Sequence, residues 1–202
     1  MAHCERLLLV LGMTLSFFTI GHSTRSIGEF VDLLRASQIE LVVDVRRIPR
    51  SRTNPQFNRE RLPEELHRFQ IGYVHLALLG GLRNRSRRTE TTPNLFWENA
   101  SFRNYADYAL TEGFHDGLTA LRDLGHKQRA VVMCAEAVWW RCHRRIIADY
   151  LMCAGDSVFH ILGPHRVDQA LLTPSAAKQP DGSIIYPLPG GMQASAGLDG
   201  SK

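Results

Sequence analysis

The chain has 202 residues, 44% of them hydrophobic and 22% charged, with a formal charge of +4. These values are ordinary for a soluble globular protein and allow one domain with a proper core, which excludes a chain too polar to fold. Cys4, Cys134, Cys142 and Cys153 are too few and too unpatterned for a disulfide scaffold, so free thiols in a reducing cytoplasm are expected.

The apolar segment Leu7–Phe18 is interrupted by Gly12, Thr14 and Ser16 and is too short to span a bilayer. No small-x-small cleavage site follows it, so neither export nor a membrane partner is expected. Ser16 to Ile20 predicts a first strand. Ser26 with Glu29 three residues on forms a capping box, opening a helix whose inner face is Phe30, Leu33 and Leu34. Leu41 to Val45 is a continuous apolar run, as in a strand covered on both faces. Pro63 suits the first turn of a second helix carrying Leu66 and Phe69. Tyr73 to Leu76 predicts a third strand, followed by an arginine-rich loop from Leu79 to Asn94.

Phe102 to Leu124 predicts helix, broken near Gly113. Ala130 to Cys134 predicts a fourth strand, Arg141 to Ala154 a helix ended by Gly155, and Val158 to Leu162 a fifth strand. From Pro174 the composition turns to Pro, Gly, Ser and Ala, predicting a loose tail over 174–202 with one extended piece at Ile184 to Tyr186. Strands alternating with helices imply a single layered α/β domain over 13–173, with a mostly parallel sheet of about five strands flanked by helices.

Several motifs stand in order: Thr19-Ile-Gly-His22-Ser23; Asp44-Val-Arg46 with Pro49 and Ser51; Asn54-Pro-Gln-Phe57; Leu79-Gly80-Gly81; and Cys134-Ala-Glu136 with Cys142-His143-Arg144. Together they resemble the domain-of-unknown-function 488 family over about Thr14 to Tyr186. The resemblance implies a single-domain bacterial protein of α/β fold and carries no settled activity. It also implies that Met13 is the true start, leaving residues 1–12 as an extension or a misassigned start.

In a parallel sheet the carboxyl ends of the strands share one edge, and ligands bind there. His22 and Ser23 follow the first strand, Asp44 and Arg46 end the second, and Cys134 and Glu136 end the fourth. Cys142 and His143 open the next helix, where the helix dipole and Arg141, His143 and Arg144 favour a thiolate. Cys142 is thus a candidate nucleophile, or a small residue packed under Trp139 and Trp140. Cys134 is a partner thiol, a metal ligand or core. His143 is a general base or a surface histidine. Asp44 and Glu136 are acid/base candidates, Asp44 equally a buried partner of Arg46. His22, Ser23, Arg46, Arg141, Arg144 and Trp139 are substrate-binding candidates, Trp139 through stacking on a base or sugar.

Three functions remain open. The first is an enzyme, a hydrolase or transferase, acting on an anionic substrate derived from a nucleotide or nucleic acid. Cysteine phosphatase and rhodanese loops offer an analogy. However, Cys134 to Arg141 is one residue longer than the phosphatase spacing, and Ala135 to Trp140 contains no glycine to wrap a phosphate. The second is a nucleic-acid-binding module whose contacts are Arg46, Arg47, Arg50, Arg52, Arg59, Arg61, Arg83, Arg85, Arg87 and Arg88, with Phe57 and Tyr73 for stacking. The third is a metal site of Cys134, Cys142 and His143, with His22, although Cys-x7-Cys-His is not a standard zinc spacing. No cofactor is assigned, and the sequence leaves the oligomeric state open.

Overall fold

The computed structural model describes residues 16–84 and 92–189. In chain order the main elements are β1 (Phe17–Gly21), α1 (Ile27–Ala36), β2 (Leu41–Asp44), α2 (Leu62–His67), β3 (Gly72–His75), α3 (Ala100–Tyr108) and α4 (Glu112–Gly125). Then follow β4 (Ala130–Cys134), α5 (Arg144–Cys153), β5 (Val158–Gly163), β6 (Arg166–Gln169), β7 (Ala177–Lys178) and β8 (Ile184–Ile185). The first six strands form one sheet in the order β3-β2-β4-β1-β5-β6, giving a single mixed α/β domain. All neighbours run parallel except β5 and β6, which form an antiparallel edge. That edge strand adds to the five expected; its turn holds His165 in the left-handed region at φ 59.

Every residue of β1, β2 and β4 is buried, which matches their near-continuous apolar runs. Alternate side chains feed two cores. Phe17, Val43, Val132 and Cys134 pack with Phe114, Leu121, Ile146 and Ile147 of α4 and α5. Phe18, Ile20, Val42 and Met133 pack with Phe30, Leu34, Leu62 and Leu66 of α1 and α2. The Ser26–Glu29 capping box is present: the Glu29 carboxylate accepts from the Ser26 amide at 2.8 Å, and Ser26 Oγ accepts from the Glu29 amide at 3.2 Å.

Two helix boundaries differ from expectation. The break between α3 and α4 falls at Ala109 to Thr111 rather than at Gly113, which lies in the first turn of α4. The Ala109 carbonyl accepts from the buried Tyr150 hydroxyl at 3.0 Å, a tertiary partner that local pattern does not reveal. And α5 begins at Arg144, because Trp139–Arg141 form a 3-10 turn and Cys142 is extended at φ −127, ψ 145. Of the segment 174–202, residues up to 189 are described. Within it β7 and β8 pair, Ile184 and Tyr186 are fully buried, and the Tyr186 hydroxyl donates to the buried Asp149 carboxylate at 2.9 Å. Residues 1–15, including Met13 and Cys4, lie outside the described residues, as do Arg85, Arg87 and Arg88.

The fold makes an opening between β1 and β4. The chain leaves β1 for α1 on one face of the sheet and leaves the neighbouring β4 for α5 on the other. Divergent exits from adjacent parallel strands create a crevice at their carboxyl ends.

Candidate functional site

A cleft of about 720 Å³ occupies this crevice. From the expected set, His22, Ser23, Arg46, Cys134, Glu136, Arg141, Cys142 and His143 line it. Asp44, Arg144 and Trp139 do not. Residues from the ends of the three adjacent strands β2, β4 and β1 are therefore gathered at one edge.

Backbone pairing sets the floor. Gly21 stands opposite Cys134 in the β1–β4 register. The amides of His22 and Ser23 then donate to the carbonyls of Cys134 and Ala135, each at 2.9 Å. A Cβ on Gly21 would lie 1.8 Å from the Glu136 carbonyl oxygen, so only glycine lets the two loops run this close. Ser23 takes the left-handed conformation at φ 51 to turn the chain out of the cleft floor.

Cys142 and His143 form a dyad. His143 Nε2 faces the Val45 carbonyl at 3.2 Å and Nδ1 faces Cys142 Sγ at 3.7 Å, so each ring nitrogen has a partner. Gly81 makes room for this ring: a Cβ there would sit 2.8 Å from His143 Nδ1. Tyr105 packs its ring 4.8 Å from the imidazole and donates its hydroxyl to the Leu79 carbonyl at 2.7 Å.

Arg144 is 1% exposed and makes no ion pair with a carboxylate among the described residues. Its Nε donates to Cys142 Sγ at 3.3 Å and its Nη2 to the Glu136 carbonyl at 2.5 Å. A buried guanidinium needs a counter-charge, and here the Cys142 sulfur is in the position to supply it. Burial by itself pushes the Cys142 thiol up. The Cys134 thiol, the charges of His143 and Arg144 and the His143 hydrogen bond outweigh burial and hold Cys142 well below the ordinary thiol range. Its neighbour moves the other way. Interaction with the Cys142 sulfur, then burial, pushes Cys134 well up. Within the pair, Cys142 is the sulfur that ionises more readily and Cys134 the one that keeps its proton.

Because Cys142 precedes α5, its activation comes from these side chains rather than from a place inside the helix. Arg144 lies beneath Cys142 and outside the cleft lining.

Asp44 stands outside the cleft lining. It alternates with Val42, which belongs to the core of α1 and α2, whereas Cys134 belongs to the opposite core. It is 0% exposed, takes Arg46 Nε at 2.9 Å and Nη2 at 2.6 Å, and accepts from the Tyr73 hydroxyl at 2.8 Å. Burial, then the Asp44 charge, pushes the Tyr73 hydroxyl upward. Arg46 also donates to the Phe57 carbonyl at 2.6 Å and to His22 Nε2 at 3.2 Å. Of its five N–H groups about one is left for the cleft.

His22 is likewise occupied. Its Nδ1 donates to the Ser23 carbonyl at 2.8 Å, and its ring stacks 4.2 Å from Phe57. Burial lowers it to about 4, so it is neutral and accepts from Arg46. Phe57, fully buried, is thereby committed to the wall, and Tyr73 is half-buried with its hydroxyl held by Asp44. Trp139 also stands outside the cleft lining. It stacks at 4.4 Å on His160, whose Nδ1 lies 2.7 Å from Thr19 Oγ1, and it does not reach the cleft. His75 holds the Arg46 carbonyl at 2.7 Å from behind.

At the mouth, Arg47, Arg50 and Arg141 are exposed and Glu136 supplies the carboxylate. Ile48, Leu82 and Phe102 add apolar lining, and Ser51, Asn54 and Ser101 add neutral polar groups. Tyr105, Leu82, Ser101 and Phe102 escaped the sequence reading, since nothing in their spacing ties them to this edge. The Leu79-Gly80-Gly81 motif was the available signal: two adjacent glycines mark a close backbone approach.

Cys134, Cys142 and His143 also bring their donor atoms within 4.8 Å of one another, a spacing open to a metal ion. No helix among the described residues is long and apolar enough to cross a membrane.

Fold and site together define an α/β domain with a cysteine pair and a histidine in a cleft at the carboxyl edge of its sheet. The family described as Domain of unknown function DUF488 matches residues 26–151, and the chain belongs to that family. No curated protein and no solved structure matches the chain.

Proposed function

We propose that the protein is a thiol-dependent enzyme, with the Cys142 thiolate as nucleophile, acting on an anionic substrate derived from a nucleotide or nucleic acid. The observation that carries this is the buried Arg144 guanidinium, seated on Cys142 Sγ with no carboxylate neighbour among the described residues. A thiolate held this way is a nucleophile at neutral pH. His143 keeps Nδ1 toward the sulfur to take or return its proton. Arg47, Arg50 and Arg141 hold the anion, with Glu136 as the cleft's acid/base candidate. The cleft volume suits a ligand of nucleotide size, and Ile48, Leu82 and Phe102 suit an apolar or planar portion. The reaction class is hydrolysis or transfer through a covalent Cys142 adduct.

Two other readings have less support. In a nucleic-acid-binding module the arginine loops would point outward, as Arg47, Arg50, Arg52, Arg59 and Arg61 do. Yet Arg46 is bound to Asp44, and Arg83 donates to the carbonyls of Gly80, Ala77 and Leu78 while lying 3.6 Å over the Tyr108 ring. A metal at Cys134, Cys142 and His143 would bring a cation beside the buried Arg144, which repels it.

The test is chemical labelling of reduced protein at neutral pH. Cys142 is expected to react faster with iodoacetate than with iodoacetamide once their intrinsic rates are divided out, because the cleft mouth favours an anion. Cys142→Ser is expected to remove the fast-labelled site and any turnover. Equal relative rates, or a fast site that survives Cys142→Ser, would overturn the reading.

A further inference from the structure

Hydrolysis or simple transfer through Cys142 requires one sulfur, yet the cleft presents two. Cys134 lines it beside Cys142, with the two Sγ atoms within 4.8 Å. We propose that Cys134 is the resolving thiol of a redox pair with Cys142, and that the site takes a small anionic disulfide as oxidant. This rests on the reading of Cys142 as the nucleophile and narrows its substrate to sulfur chemistry.

The placement of the two thiols differs in a useful way. Cys134 ends a central strand, and the register with Gly21 and the bond from the His22 amide hold its backbone. Cys142 lies in an irregular stretch between a 3-10 turn and α5, outside any sheet pairing. Sulfurs already this near need only a small shift to reach the roughly 2 Å of a disulfide bond. The mouth supplies Arg47, Arg50 and Arg141 for carboxylates on the incoming molecule.

The electron balance closes with the disulfide as the named oxidant. The Cys142 thiolate attacks one sulfur of the small disulfide; a bond forms between them and the original S–S bond breaks. The first half leaves as a thiolate and takes a proton from His143 Nδ1, which frees that nitrogen. The resulting mixed disulfide removes the negative charge from Cys142, and with it the interaction that kept the proton on Cys134. Cys134 then gives its proton to His143 Nδ1 or to water and attacks the Cys142 sulfur. The second half leaves as a thiolate, and a Cys134–Cys142 bond is formed. The small disulfide is reduced by two electrons and the protein dithiol is oxidised by two. A dithiol reductant returns the pair to its starting state.

Arg144 opposes the last step of this exchange, so an excess of the small disulfide is needed to drive it. In the reduced protein the Cys142 thiolate neutralises it; in the disulfide it is buried without that partner. A couple whose reduced form is stabilised is a strong oxidant. The disulfide in this cleft therefore destabilises the fold, against the usual sense of a cross-link.

Reduced full-length protein carrying Cys4→Ser and Cys153→Ser is mixed with a large excess of thiol-free glutathione disulfide and followed by mass spectrometry. The expected course is a transient glutathione adduct at Cys142, replaced by a species two hydrogens lighter than the starting protein. Cys134→Ser, or Cys134→Ala if the serine variant does not fold, is expected to stop at the adduct. The oxidised protein is expected to melt below the reduced one, and dithiothreitol is expected to restore the higher transition. An adduct at Cys142 that persists in the protein with both cysteines overturns the redox pair while leaving the nucleophile standing. No adduct at Cys142 overturns both. An oxidised form that melts higher overturns the role given to Arg144.

Discussion

Replacing Arg144 with methionine tests the electrostatic core of the site. The perturbation removes the buried cation that touches Cys142 Sγ at 3.3 Å and keeps an apolar chain in its volume. A guanidinium and a thiolate roughly 4 Å apart interact by about 4 kcal/mol at an effective dielectric constant of about 20. At about 1.4 kcal/mol per decade, that is on the order of a thousandfold in the ratio of thiolate to thiol. His143 and Cys134 remain, so a loss of roughly a hundredfold is the working expectation at neutral pH. The variant does not strand a charge, because Cys142 reverts to a neutral thiol. It does free the Glu136 carbonyl, bound by Arg144 at 2.5 Å, at a cost of about 1–3 kcal/mol. The assay is the second-order rate of Cys142 alkylation by iodoacetamide between about pH 5 and pH 10, with thermal melts alongside. The reactivity midpoint is expected to move to higher pH. A folded variant with the wild-type midpoint and neutral-pH rate would refute the claim that Arg144 holds the thiolate.

Three other substitutions or titrations separate wall from site. Asp44→Asn breaks the buried pair with Arg46 and is expected to cost about 3–5 kcal/mol in urea unfolding, with Cys142 labelling at neutral pH unchanged; lost labelling at full stability would contradict its place in the wall. Gly81→Ala drives a Cβ to 2.8 Å from His143 Nδ1. It is expected to slow Cys142 alkylation at least tenfold for a stability loss of about 1–3 kcal/mol, and an unaffected rate would count against the dyad. Acid unfolding reports His22 and His160, both lowered by burial from 6.5 to about 4. The unfolded chain takes up these protons below pH 6.5 and the folded chain refuses them until about pH 4, so stability falls with pH across that window. The loss is about 3 kcal/mol per histidine. His160→Asn is expected to shrink the acid-induced drop in melting temperature by about half, and an unaltered drop would show that burial of His160 does not supply it.

Much of the fold was legible because strand and helix signals are local. Apolar runs of Leu, Val and Ile mark strands buried on both faces, and the Ser26–Glu29 box marks a helix start. The edge strand β6 was missed because its pattern is exposed and polar, so it has no apolar run to announce it. The break at Ala109 was misplaced because its cause is the hydroxyl of Tyr150, forty-one residues away in the chain.

The sequence by itself determined that thiols, histidines and arginines crowd the ends of parallel strands, because alternating strands and helices place those ends on one edge. Only the tertiary structure decided what each one does there. Asp44 and Cys134 end neighbouring strands, yet strand pleating sends them into opposite cores. Arg141 and Arg144 are three residues apart, yet one is exposed at the mouth and the other is sealed beneath Cys142. A residue type carries its chemistry in the sequence, but its charge state and its access to substrate depend on which neighbours displace water from around it.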